Sequence, residues 1–168
     1  MNIFSNFFHK KSKKIEITKI FAPISGKIIE IEKVPDVVFS DKIVGDGIAI
    51  NPVGNIILSP VDGIIGKIFD TNHAFSIKTY NNIELFIHFG IDTINFKGKG
   101  FTRIFDLEKT NVVKKGEIII KLDLDFLKKS AKSIYTPIVI SNIDKIKKIK
   151  KYKGNVIAGI DPILEIYK

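Results

Sequence analysis

Short runs of alternating apolar and polar residues, cut by Gly and Pro, fill the chain from Ile15 onward. A two-residue period of Val, Ile and aromatic side chains marks half-buried strands. The pattern predicts strands near residues 16–21, 26–32, 47–51, 55–58, 63–69, 74–79, 83–89, 101–105, 117–122, 135–141, 156–158 and 162–167. One helix is predicted, over Asp123-Leu124-Asp125-Phe126-Leu127-Lys128-Lys129-Ser130-Ala131. Asp123 or Asp125 suits its N-cap, the lysines suit its last turn, and Leu124, Leu127 and Ala131 form its inward stripe. Two segments recur in outline. Ala22-Pro23-Ile24-Ser25-Gly26-Lys27-Ile28 is echoed by Ser59-Pro60-Val61-Asp62-Gly63-Ile64-Ile65, and Gly45-Asp46-Gly47-Ile48 by Gly116-Glu117-Ile118-Ile119. Many short strands, one short helix and repeated strand-turn units predict an all-β protein, an antiparallel β-sandwich with duplicated hairpin units.

The most informative strand is Glu84-Leu85-Phe86-Ile87-His88-Phe89, ended by Gly90. Alternation sets Leu85, Ile87 and Phe89 on one face and Phe86 and His88 on the other. Another histidine, His73, lies fifteen residues earlier, and the polar, turn-prone Thr79-Tyr80-Asn81-Asn82 separates the two. A hairpin with a two- or four-residue loop centred between Tyr80 and Asn81 pairs residues whose numbers sum to 161. His73 then falls opposite His88, with Cβ atoms about 4.5–5.5 Å apart. The same register surrounds the rings with Phe75, Ile77 and Phe86, an apolar patch suited to docking. Adjacent imidazoles fit three chemistries: a pair of metal ligands, a base with its nucleophile, or a phosphoryl acceptor with a stabilising neighbour. A structural pair satisfied by backbone hydrogen bonds is the fourth reading.

Composition narrows this. The 168 residues suit a single domain over residues 15–168, preceded by a tail over residues 1–14. There is no cysteine, hence no disulfide and no thiol nucleophile. No segment approaches the roughly 18 apolar residues of a membrane span. The first residues place Ile3, Phe4, Phe7 and Phe8 before the lysines, the reverse of a signal peptide, so a cytoplasmic protein is expected. The net charge of +9 is uneven. Residues 1–14 hold four lysines and no acid, residues 142–153 hold six lysines and Asp144, and the remainder balances. Arg103 is the single arginine, which argues against nucleic acid as a partner. The tail's apolar arc followed by Lys10 to Lys14 reads as a weak amphipathic contact for anionic membrane. The run Lys145 to Lys151 reads as a solvated, lysine-rich sheet edge.

Asn72-His73-Ala74-Phe75-Ser76-Ile77 and Glu84-Leu85-Phe86-Ile87-His88-Phe89-Gly90-Ile91-Asp92-Thr93 closely resemble the two histidine segments of the glucose-specific enzyme IIA component of the bacterial phosphoenolpyruvate–sugar phosphotransferase system. The resemblance extends through Val34-Pro35-Asp36-Val37-Val38-Phe39, Lys42-Ile43-Val44-Gly45-Asp46-Gly47-Ile48-Ala49-Ile50, Ser59-Pro60-Val61-Asp62-Gly63 and Thr136-Pro137-Ile138-Val139-Ile140-Ser141-Asn142. It covers nearly the whole chain from about residue 15.

The resemblance implies that His88 accepts a phosphoryl group from the phosphocarrier HPr and passes it to a membrane glucose permease of the IIB/IIC type. His73 assists without being phosphorylated, and Thr71, two residues earlier, can fix its tautomer by a hydrogen bond. Gly90, lacking a side chain, lets backbone approach the phosphate. Asp36, Val38, Phe39, Phe75, Phe86 and Asp92 are implied partner contacts, the two carboxylates meeting a basic partner. Glycerol kinase, adenylate cyclase and other permeases are implied as regulatory partners, and peripheral placement at the inner membrane is implied through the tail. Phosphoryl transfer needs no cofactor. A zinc ion is implied only in a partner complex, held by His73 and His88. A zinc hydrolase, which needs about three protein ligands, is disfavoured because His9 in the tail is the only other histidine.

Overall fold

A computed structural model of the chain describes residues 15–168. The membrane contact expected over residues 1–14 lies outside the described residues. The strands in chain order are β1 (Ile17–Phe21), β2 (Gly26–Glu30), β3 (Asp46–Pro52), β4 (Ile56–Leu58), β5 (Gly63–Ile68), β6 (Ala74–Lys78) and β7 (Glu84–His88). They continue with β8 (Phe101–Arg103), β9 (Val112–Val113), β10 (Ile118–Leu122), β11 (Thr136–Ile140), β12 (Lys148–Lys151), β13 (Asn155–Val156) and β14 (Pro162–Tyr167). Every pairing between them is antiparallel.

One large sheet has the order β13-β2-β3-β11-β7-β6-β5-β9, and two three-stranded sheets have the orders β1-β14-β12 and β4-β10-β8. Apolar side chains from all three meet in one core. Ile20, Ile57, Ile65, Phe75, Leu85, Ile120, Ile138 and Leu164 belong to it, each at most 2 % exposed. The architecture is the antiparallel β-sandwich that the two-residue period predicts. Each fully buried side chain of this size contributes about 1.5–3 kcal/mol, so the alternation decides which face of every strand turns inward.

The echoed segments have a shared cause. Gly26 opens β2 and Gly63 opens β5, and a Cβ at either position would run into a neighbouring strand's carbonyl, Asn51 O or Lys78 O respectively. Each small-Pro-branched-x-Gly turn thus delivers a strand into close contact with the next one. The helix α2 (Leu124–Ser130) follows the expected rule, with the Asp123 carboxylate accepting from Phe126 N at 3.0 Å and Leu127 fully buried.

The outer face of the large sheet is partly covered as well. A 3₁₀ turn (Ile31–Lys33) ends the strand expected over 26–32 two residues early, and a single helical turn, α1 (Val37–Ser40), follows. Asp36 caps that turn, its carboxylate accepting from Val38 N at 2.8 Å. Ile31, Val34 and Phe39 pack here on Ala49, Ile91 and Val139, forming a second, smaller core. The sequence pattern leaves this turn as a loop, because four residues are too few to display a helical period.

Candidate functional site

β6 and β7 form the hairpin that carries the histidines, but in a register one residue from that expected. Ala74 pairs with His88, Phe75 with Ile87 and Ser76 with Phe86. The cause is the turn. Thr79 N donates to Ile83 O, so the loop is the three residues Tyr80, Asn81 and Asn82, with Asn82 in the left-handed region at φ +62°. An odd loop moves every cross-strand partner by one. Phe75 and Ile77 therefore face the core, at 1 % and 2 % exposure, and not the histidine face. Phe75, expected as a partner contact, is a core residue.

The rings nevertheless meet. His73 lies just outside β6, where Asn72 at φ +55° turns the chain, so strand alternation does not govern it. Its ring stands edge-on to that of His88, with centroids 4.8 Å apart. Phe39 lies 5.2 Å from His88, Phe69 5.5 Å from His73, and Phe86 6.0 Å from both His88 and Phe69. Three phenyl rings thus surround two imidazoles. His73 is 3 % exposed, whereas His88 is half-buried and open to solvent on one side.

Each ring is held through Nδ1. His88 Nδ1 lies 2.8 Å from Gly90 O. A carbonyl only accepts, so this nitrogen carries the proton and Nε2 of the neutral ring keeps its lone pair. His73 Nδ1 lies 2.5 Å from Thr71 Oγ1, the local contact expected from their spacing. Gly90 itself is fixed by its surroundings. It sits at φ +68°, and a Cβ there would come within 2.6 Å of Thr93 Cγ2 and 3.0 Å of Ser133 O. Ile91 N donates to Ser133 O at 2.8 Å, and Thr93 Oγ1 donates to Phe89 O at 2.6 Å. The carbonyl that receives His88 is therefore anchored on both sides.

Burial lowers the pKa of His88 below its ordinary 6.5, opposed by the Gly90 hydrogen bond and by the nearby Asp36 carboxylate. Burial also lowers that of His73, to about 4, with a smaller contribution from His88. Both rings are neutral at pH 7. This has a consequence for stability. Above pH 6.5 the folded and unfolded chains both hold neutral His73, and its contribution is complete. Below 6.5 the unfolded chain takes up the proton first, so stability falls as pH drops towards 4, by about 3 kcal/mol in total for such a shift. Denaturation midpoints measured from pH 7 to pH 4 should decline for the native chain and decline less for His73→Gln. Parallel slopes would contradict the buried, neutral His73.

Other expected residues are dispersed differently. Asp36 and Phe39 flank His88 through α1, but Phe39 is only 4 % exposed and supports the site from below. Val38 at 37 % and its neighbour Val37 at 59 % present the open surface. Asp92 is exposed at φ +61° and, among the described residues, makes no hydrogen bond to either histidine. An apolar depression of about 560 Å³ adjoins the site, between Ile43, Val44, Ser76 and Phe86.

Two contributors escaped the sequence pattern. Phe69 reaches the histidine face because the β5–β6 pairing shifts between Ile65 and Lys67. That bulge resets the alternation after Gly66, so Ile68 turns inward and Phe69 outward. Arg103 donates through Nε to Asn72 Oδ1 at 2.8 Å and through Nη2 to Phe69 O at 3.1 Å, fixing the turn that carries Thr71 and His73. Its partners lie 31 and 34 residues away, so nothing local announces them.

The sandwich thus presents two neighbouring, neutral imidazoles ringed by phenyl groups on one face of its large sheet. The family model described as "phosphoenolpyruvate-dependent sugar phosphotransferase system, EIIA 1" matches residues 18–146. The chain belongs to this family. It is 58 % identical to the glucose-specific EIIA component of Buchnera aphidicola subsp. Baizongia pistaciae, over 100 % of both chains. It is 42 % identical to an N-acetylglucosamine-specific EIICBA component of Escherichia coli, covering 92 % of this chain and 24 % of that one. Among solved structures, glucose permease IIA from Mycoplasma capricolum superposes with a TM-score of 0.81 at 32 % identity, over 89 % of this chain and 96 % of that one. The protein is a phosphotransferase component of sugar transport. Among the described residues, no helix is long and apolar enough to cross a membrane.

Proposed function

We propose that His88 Nε2 accepts a phosphoryl group from phospho-HPr and delivers it to the IIB domain of a membrane glucose permease. The observation that carries this reading is the bond from His88 Nδ1 to Gly90 O, which leaves Nε2 as the free nucleophile beside His73. As the Nε2–P bond forms, the bond from phosphorus to the donor breaks, and the ring becomes cationic because Nδ1 keeps its proton. The Gly90 carbonyl and the Asp36 carboxylate both favour that positive charge. On discharge the Nε2–P bond breaks and a neutral imidazole leaves. The cost of forming a cation in a buried site is thus offset by two groups already in place.

His73 contributes a hydrogen bond. With Thr71 Oγ1 donating to its Nδ1, its Nε2 carries the proton and can donate to a phosphoryl oxygen. Val38 and Phe86, with the apolar depression beside them, provide the docking surface, and Asp36 and Asp92 offer charge to a basic partner. In the other tautomer, with His73 Nδ1 donating to Thr71 Oγ1, both Nε2 lone pairs are free and would suit a zinc ion brought into a partner complex. Among the described residues no group of three or more His, Cys, Asp or Glu converges, so the partner would supply the remaining ligands. Glucose as the transported sugar follows the relative matched over its full length.

Incubation with phosphoenolpyruvate, enzyme I and HPr tests the reading. Acid-labile, base-stable phosphate should appear on the chain, and peptide mapping should place it on His88. Phosphate on His73, or on a serine or threonine, would overturn the assignment.

A further inference from the structure

His73 is carried by a loop and not by a strand. Phe69 N donates to Ala74 O at 3.0 Å, so Asp70, Thr71, Asn72 and His73 connect β5 to β6. Loops are the more mobile parts of a fold, yet a donor to a phosphoryl oxygen works only when held in place. Inside the loop, Asn72 N donates to Phe69 O at 2.8 Å. Asn72 itself is at φ +55°, a conformation asparagine accepts less readily than glycine.

The loop is held from the other side of the sandwich. β8 belongs to the β4-β10-β8 sheet and pairs there with β10 alone. From β8, Arg103 Nε donates to Asn72 Oδ1 at 2.8 Å and Nη2 to Phe69 O at 3.1 Å. The guanidinium is a rigid plane, so the two bonds fix the Asn72 side chain and the Phe69 carbonyl relative to each other. Arg103 makes no ion pair among the described residues; its side chain is committed to the segment from Ile68 to Asn72. Two residues earlier, Phe101 packs edge-on against Phe89 with ring centroids 5.6 Å apart, and Phe89 N donates to His73 O at 2.7 Å. β8 therefore supports His73 from both sides, at Asn72 before it and at its own carbonyl. The lowered pKa of His73 comes from burial and from His88, so Arg103 acts on the ring by place and not by charge.

We infer that Arg103 is a positioning residue for phosphoryl discharge: clamping the Asn72 turn from the opposite sheet, it holds the His73 Nε2–H against a phosphoryl oxygen on His88. This rests on the role given to His73 above. Loading depends on the His88 nucleophile, which is held by β7 and Gly90 O, outside the clamp.

The test is Arg103→Gln in the full chain, loaded by phospho-HPr and discharged to the permease IIB domain, with the two rates measured separately. Loading should keep its native rate, and discharge should slow about tenfold, as for a donor displaced by a fraction of an ångström. In a His73→Gln background the same substitution should slow discharge no further, because the clamp then has no imidazole to position. Arg103→Lys keeps the charge but brings one nitrogen to two acceptors, so discharge should slow there too. Ile57→Val, a core change on the same small sheet, should lower the melting temperature and leave both rates native. Nitrogen resonances of the His73 ring should shift in unphosphorylated Arg103→Gln, and those of His88 should not. Native discharge by either Arg103 variant, equal slowing in both backgrounds, or unmoved His73 resonances would overturn the inference. Phosphate missing from His88 of the native chain would overturn the phosphocarrier reading instead, and the His73 resonances would still judge the clamp.

Discussion

His88→Gln is expected to accept no phosphoryl group from phospho-HPr at any pH. The substitution removes the one nitrogen that combines a free lone pair with partial exposure, and an amide nitrogen is not a nucleophile. Glutamine fills a similar volume beside Phe39 and Phe86, so the fold should persist and the loss should be chemical. Intact-mass analysis after incubation with the phosphoryl donor reads the result directly. A phosphorylated His88→Gln chain would place the acceptor elsewhere and end the proposed mechanism. Thermal unfolding of the same sample distinguishes a dead site from an unfolded chain.

His73→Gln should behave differently. The nucleophile remains, and the glutamine amide can still donate one hydrogen bond to a phosphoryl oxygen, so acceptance should survive. Discharge to the permease IIB domain should slow about 100-fold, the usual effect of degrading one donor to a transition-state oxygen. The native imidazole is oriented by Thr71 and Arg103's grip on the preceding turn, whereas the longer, more flexible amide holds its donor less firmly. Single-turnover rates of loading and unloading, measured separately, check this. Equal rates for native and variant chains in both directions would remove His73 from the mechanism. A zinc hydrolase would lose activity with either substitution and on addition of a chelator, whereas phosphoryl transfer through His88 should be indifferent to the chelator.

These expectations rest on features of unequal legibility. The Thr71–His73 contact spans two residues, and the Asp36 cap of α1 likewise, so both are local properties of the chain. The bond from His88 to Gly90 O is equally short in sequence, yet residue identities do not announce it. A glycine suggests room for a ligand, and which way its carbonyl points depends on Thr93 and Ser133 from beyond the strand. The register of the histidine hairpin is ambiguous in the sequence for a similar reason. Thr79-Tyr80-Asn81-Asn82 announces a turn by composition, but two-, three- and four-residue loops all draw on such residues. Asn82 accepts a left-handed conformation, and that choice moves Phe75 from the docking face to the core.

By itself the sequence determined the fold class, most strand positions, the single substantial helix and membership of the family whose histidine segments it resembles. All of these are written in short-range periodicity and in residue identity, which act whatever the rest of the chain does. Tertiary structure alone decided the cross-strand register, the bulge that turns Phe69 outward, the burial of Phe39 beneath α1 and the clamp from Arg103. Each depends on contacts between residues distant in sequence, whose free energy exists only once loops close and sheets pack. A period of two states that a strand has two faces; the partner across the sheet states which residue stands opposite.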